Sequence, residues 1–152
     1  MNYYDSFIRL APDSAATRGT VPPARGETKT IPAIEYELLA AKPYFYTQEE
    51  LLFAVHVERE GITPAHLKAK RQQLWAEFFG KSRACLRCSS LPKKYGWGLH
   101  FDKEGRIGLV AVESAAYKKF NGSKSLKVVP AMNSSEPERA HPTLVPRQRI
   151  RN

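Results

Sequence analysis

The sequence predicts one small α+β domain, and three observations carry that prediction. Helix-start signatures recur between Thr30 and Gly80, the periodicity turns from helical to alternating at Ala84, and 152 residues leave room for one hydrophobic core. The expected architecture is a small, mostly antiparallel sheet covered by helices, with the compact domain at 1–122 and a disordered basic tail at 123–152.

Tyr3 to Leu10 has the aromatic and β-branched content of a short strand, and Pro12 stops it. From Asp13 to Thr30, Gly19, Pro22, Pro23 and Gly26 among Ser, Thr and Ala describe an extended surface connection. Thr30 is placed to cap a helix over 31–41, with Pro32 in its first turn, Pro43 past its end and an apolar stripe of Ile31, Ile34 and Leu38. Thr47-Gln48-Glu49-Glu50 spells a capping box that opens a second helix, closed by Gly61. Its middle, Leu51 to Val57, is apolar on nearly every side except at His56, which places it deep in the core with His56 as a hydrogen-bonded core residue.

Thr63 and Pro64 open a third helix that Gly80 ends, with Leu67, Leu74, Trp75, Phe78 and Phe79 as its buried side. Candidate strands come next at 84–90, 95–101 and 106–112. The last two form a hairpin through Asp102-Lys103-Glu104-Gly105, where glycine supplies the positive φ of the turn. Ser114 caps a short helix through Phe120. Beyond Gly122 come Pro130, Pro137, Pro142 and Pro146, then Arg147, Arg149 and Arg151, in a composition that buries too little to fold alone.

Lys and Arg outnumber Asp and Glu by 24 to 15, a formal charge of +9; the split is 18 against 13 through Gly122 and 6 against 2 after it. Such a surplus attracts anionic partners, whether nucleic acid, phosphorylated ligands or acidic protein surfaces. Near the start, no apolar run is long enough for a signal peptide or a membrane span. Two cysteines are too few for the disulfide framework of a secreted domain. The expected setting is cytoplasmic, with the nucleus as the alternative, and away from any membrane.

Tyr4-Asp5-Ser6-Phe7-Ile8, Tyr36-Glu37-Leu38-Leu39, Pro43-Tyr44 and the block from Cys85-Leu86-Arg87 to Tyr95-Gly96-Trp97-Gly98-Leu99-His100 resemble a family of small proteins classed as a domain of unknown function. The resemblance runs over roughly residues 3–120. It implies one domain over that span and no activity. Cys88 stands where the family pattern leads one to expect a small residue such as Ala.

Alternation puts Tyr95, Trp97, Leu99 and Phe101 on one side of their strand and Gly96, Gly98 and His100 on the other. On the preceding candidate strand, Cys85, Arg87 and Ser89 point together. If these sets share a face, Arg87, Ser89, His100 and Cys85 surround a floor of glycines that Gly108 extends. Such a floor admits a ligand or a closely packed helix. Cys85 and His100 are the weak catalytic candidates, as nucleophile and base, though no third, orienting residue is evident.

Cys85-x-x-Cys88 has the spacing of half a metal site or a redox pair, but no second pair exists and no histidines have ligand spacing, so neither metal nor cofactor is expected. Lys81, Arg83, Arg87, Lys93 and Lys94 occur without a carboxylate, close to Tyr95, Trp97 and Phe101. Cations beside rings are what binding phosphates and stacking bases requires; a solvated edge with its rings turned into the core has the same pattern. The candidate ligand-binding set is Arg87, Ser89, Lys93, Lys94, Trp97 and His100. The leading reading is a binding module for an anionic partner, nucleic acid or a phosphorylated ligand. The alternatives are a small enzyme with a pocket near Arg87 and His100, and an interaction protein recruited through its basic tail.

Overall fold

The computed structural model describes residues 1–24 and 29–133. Along them run strand β1 (Ser6–Arg9), helices α1 (Ile31–Ala41), α2 (Gln48–Arg59) and α3 (Pro64–Phe79), a single 3-10 turn (Leu86–Cys88), helix α4 (Ser90–Lys94), strands β2 (Trp97–Phe101) and β3 (Ile107–Ala111), helix α5 (Ala115–Asn121) and strand β4 (Lys127–Pro130). The fold is α+β. Its sheet has the order β3-β2-β1-β4, antiparallel at the first two pairings and parallel at β1–β4. None of these helices is long and apolar enough to cross a membrane.

The helix starts are explained by their caps. Thr30 Oγ1 accepts from the amide of Ala33, Thr63 Oγ1 from that of His66 and Ser114 Oγ from that of Tyr117. Thr47 and Glu50 close a reciprocal capping box at α2. In the β2–β3 hairpin, Asp102 Oδ1 accepts from the amides of Glu104 and Arg106, both at 2.9 Å, and Gly105 takes φ +81°. The long connection after β1 is tied to the start of β2: Thr20 donates its amide to Tyr95 O, and Trp97 Nε1 donates to Thr20 O at 2.8 Å.

Ile8, Ile34, Leu39, Leu51, Leu86, Leu91, Leu99, Phe101 and Ile107 form the main core, between one face of the sheet and the layer of α1, α2 and α4. The other face presents Phe7, Gly98, His100 and Gly108, in register across β1, β2 and β3. Here the glycine floor is closed by rings. A Cβ on Gly98 would stand 2.6 Å from Phe7 Cζ and 3.0 Å from Tyr117 Cε2, and one on Gly108 would run into the Tyr44 ring. His100 stacks on Phe120 of α5 with centroids 4.1 Å apart, and its Nδ1 shares a 2.8 Å hydrogen bond with the Tyr44 hydroxyl. Tyr44 reaches it because residues 44–46 run along the outer edge of β3, with Tyr44 N donating to Ile107 O and Ile107 N to Tyr46 O, at the expense of φ +57° at Tyr44.

Three expectations are corrected. The segment 84–90 is not a strand. Ser89 Oγ accepts from Leu91 N to start α4, Pro92 fits that helix's first turn, and Cys85 O accepts from Cys88 N to close the 3-10 turn. The compact part does not end at Gly122. Lys127–Pro130 pairs with all four residues of β1, Ala131 is buried and Met132 N donates to Arg87 O. A four-residue edge strand ending in proline is tolerated because its partner lies on one side only, and this pairing is invisible to composition. The rest of the expected tail, 134–152, lies outside the described residues. Finally, α3 buries Phe78 alone; Leu67, Leu74, Trp75 and Phe79 are half-covered, because the helix lies at the margin of the core, kinked at Lys70.

Two outcomes are expected for stability. A chain ending at Gly122 should lose ~3 kcal/mol or more relative to one ending at Asn133, since it gives up the β1–β4 ladder at about 1 kcal/mol per hydrogen bond; urea unfolding of the two chains measures it. Gly98→Ala should cost about 2 kcal/mol, because neither the buried Phe7 ring nor Tyr117 can retreat freely. A thermal melt equal to that of the wild type would show that α5 yields.

Candidate ligand-binding site

The residues singled out in the sequence divide between the two sheet faces. His100 lies under Phe120 and Tyr44 on the α5 side, where burial draws its pKa down against the opposing pull of Asp102 and Asp5. Cys85 lies on the other side. Its Sγ accepts from Tyr3 OH at 3.5 Å, and the Tyr3 ring packs on Phe101, which alternates with His100 along β2. Cys85 and His100 are therefore not nucleophile and base to each other. Arg87 Nε donates to Pro130 O at 2.7 Å, which clamps β4. Trp97 is held by Thr20 and packs on Tyr36, with ring centroids 5.5 Å apart. Lys93 and Lys94 occupy the last turn of α4, where cations favour the helix dipole. The six-residue ligand set does not converge on one place.

A cavity of about 560 Å3 opens elsewhere, between α1, α2, the end of α3 and the 83–90 segment. Of the candidates, Cys85 and Ser89 line it. Its walls are apolar at Leu52, Val55, Phe78 and Leu86, and the lining also includes the exposed Arg59 and Glu60 and the half-buried Arg83. The 3-10 turn places Cys85 and Cys88 three residues apart on this wall, both as half-buried thiols. Among the described residues, no three His, Cys, Asp or Glu side chains come together as a metal site.

Glu35 is the residue the sequence reading missed. It is 3% exposed on α1, and its Oε1 accepts from Ser89 Oγ at 2.7 Å. Glu35 lines the cavity, and its Oε2 is not one of the fully buried side-chain atoms left without a hydrogen-bond partner among the described residues. Loss of hydration lifts the carboxyl from 4.5 to about 7, with the Ser89 hydrogen bond pulling the other way. The stripe drawn through Ile31, Ile34 and Leu38 is rotated from the true buried face of Ala33, Ile34, Glu35 and Leu39. The available signal was spacing: Glu35 stands four residues from both Ile31 and Leu39, so it shares their side of the helix.

His56 and Arg83 both pack against Phe78. The imidazole ring centroid is 4.5 Å from that of Phe78, and Arg83 Cζ is 3.9 Å from it, with Arg83 Nε donating to Phe78 O at 2.9 Å. Burial lowers the His56 pKa, Glu60 raises it and Arg83 lowers it again, so the ring is neutral at pH 7. His56 is thus a wall residue held by aromatic contact rather than the hydrogen-bonded core histidine expected. Arg59 has no hydrogen bond or ion pair from its side chain among the described residues. The arrangement offers a largely apolar slot lined by two guanidiniums, with a proton-sharing carboxyl within.

The Glu35 shift has a signed consequence. Its folded-state pKa lies above the unfolded one, so between about pH 4.5 and 7 the native chain holds a proton that the unfolded chain has lost. Stability falls as pH rises through that window and levels off above it, by about 3 kcal/mol for a shift of this size. Glu35→Gln should remove the dependence and be the more stable chain at about pH 8. Urea unfolding across the window checks this; a constant difference between the two chains would place the native Glu35 pKa at its ordinary value.

No curated protein and no solved structure matches the chain. A family model described as a family of unknown function (DUF6157) matches residues 1–137, further than the 3–120 span of the sequence resemblance. The match takes in β4 and every element around the cavity, and the chain belongs to that family, DUF6157.

Proposed function

We propose that the protein is a binding module for a small organic anion, received in the Glu35 cavity with its charged group at Arg59 and Arg83. The observation that carries this reading is a ligand-sized, largely apolar cavity lined by two guanidiniums, Arg59 and Arg83, beside the exposed carboxylate Glu60 and the buried carboxyl Glu35. Arg83 spends its Nε donor on Phe78 O, and its terminal nitrogens make no hydrogen bond among the described residues. A nucleic-acid reading draws less support, because Phe101 is fully buried and Tyr95 and Trp97 pack against the core, leaving no stacking platform beside Lys93 and Lys94. A reducing, cytoplasmic setting suits a site walled by two thiols.

Isothermal titration with hexanoate and hexyl phosphate at low salt tests the reading. Saturable binding is expected, weakened about tenfold by Arg59→Glu, or ~1.4 kcal/mol, and unchanged by the double replacement Lys93→Ala, Lys94→Ala. The reverse pattern would move the anion site to the α4 lysines.

A further inference from the structure

We propose that the ligand of this cavity is a zwitterion, an ω-amino carboxylate or a molecule of that charge pattern, whose ammonium group seats on Glu35 while its anionic group lies at Arg59 and Arg83. The inference rests on the anion reading of the two arginines and adds the chemistry of the inner end.

The inner end carries a carboxyl and no cation. As a residue Glu35 is almost wholly buried; it lines the cavity and accepts one hydrogen bond, from Ser89 to Oε1. Ser89 is itself committed, since its Oγ also accepts from Leu91 N at 3.1 Å. A hydrocarbon ligand would leave Oε2 unmatched in an apolar surrounding. An anion at that depth would meet a carboxyl of like charge or force it to stay protonated. An ammonium group brings three donors and the missing opposite charge, so it answers both deficits. Between the two ends, Leu52, Val55 and Phe78 suit a chain of methylenes.

The titratable groups facing this space are His56, Arg59 and Glu60 from α2, and Arg83, Cys85 and Cys88 from the segment after α3. The nearest hydrogen-bonded neighbour, Ser89, does not titrate. With its carboxyl pKa at about 7, Glu35 is largely protonated at pH 6.5, so an arriving ammonium drives that proton off. Proton release on binding is a signature that a merely structural Glu35 would not produce.

The experiment is calorimetric titration of the full chain at about pH 6.5, in two buffers of different ionisation enthalpy. The probes are ω-amino carboxylates from 4-aminobutanoate to 8-aminooctanoate, with the matching simple carboxylates and alkylamines. The best amino carboxylate should bind at least about tenfold tighter than its carboxylate and release a proton. Glu35→Gln, which keeps the acceptor for Ser89, should abolish both the advantage and the release while leaving the carboxylate within about twofold. Carboxylates that bind as tightly as their amino counterparts, without proton release, would overturn the zwitterion and leave the anion site standing. Alkylamines that bind as tightly would overturn it from the other end, by removing the need for the arginines. No saturable binding by any probe would defeat both readings.

Discussion

The backbone of Leu86 is buried where the chain has left regular structure, so its amide must find a partner inside the protein. It finds Gln48, whose Oε1 accepts at 2.7 Å while its Nε2 donates to Met1 O. One fully buried glutamine thus fastens the 83–90 segment to the start of α2 and to the chain terminus. The neighbouring bonds extend the same tie: Ser89 to Glu35 on α1, Arg87 to Pro130 on β4, and Pro92 O accepting from Ala11 N beyond β1. An irregular segment tied to α2 and α1 through their side chains, and to β4 and the chain beyond β1 through backbone groups, stands off from the helices. The cavity is the space that this standoff leaves.

The two sheet faces solve different problems. On the α5 side, glycines in β2 and β3 let the rings of Phe7, Tyr117 and Tyr44 approach the strands, and the space is filled. On the helical side, α1 packs on α2 and on β3, while the rings at the end of α3 pack on Phe53 and His56 of α2. A helix at the margin of the core cannot close the gap in front of Glu35. The carboxyl is nonetheless buried, at 3% exposure, and a serine hydroxyl rather than a cation is its hydrogen-bond partner. Desolvation outweighs one serine hydroxyl, which is why its pKa moves up rather than down.

Local signals were legible wherever a few adjacent residues decide the outcome. Thr30 with Pro32, the Thr47–Glu50 box, Thr63 with Pro64, the Asp102–Gly105 turn and Ser114 each place an element through bonds within four residues. The segment 84–90 misled because, taken as a strand, it sets Cys85, Arg87 and Ser89 on one side and Leu86 and Cys88 on the other, while Ser89 becomes a cap only through its bond to the amide of Leu91, outside that window. β4 escaped notice for a related reason: Lys127-Val128-Val129-Pro130 is a strand only because the polar edge of β1 stands open beside it.

The sequence by itself determined the starts of α1, α2, α3 and α5, the hairpin, the α+β class and the glycines of β2 and β3, since these depend on backbone sterics and on hydrogen bonds between near neighbours. Tertiary structure alone decided what covers the glycines and which of the basic residues meet. It decided that His100 belongs to the side opposite Cys85, and that an ordinary-looking glutamate on α1 becomes a buried acid. Those outcomes depend on hydration removed and partners supplied by segments tens of residues away, as when Ser89 meets Glu35 across 54 positions of chain. Periodicity specifies which side of a helix or strand a residue occupies; what stands opposite is set by how the layers close.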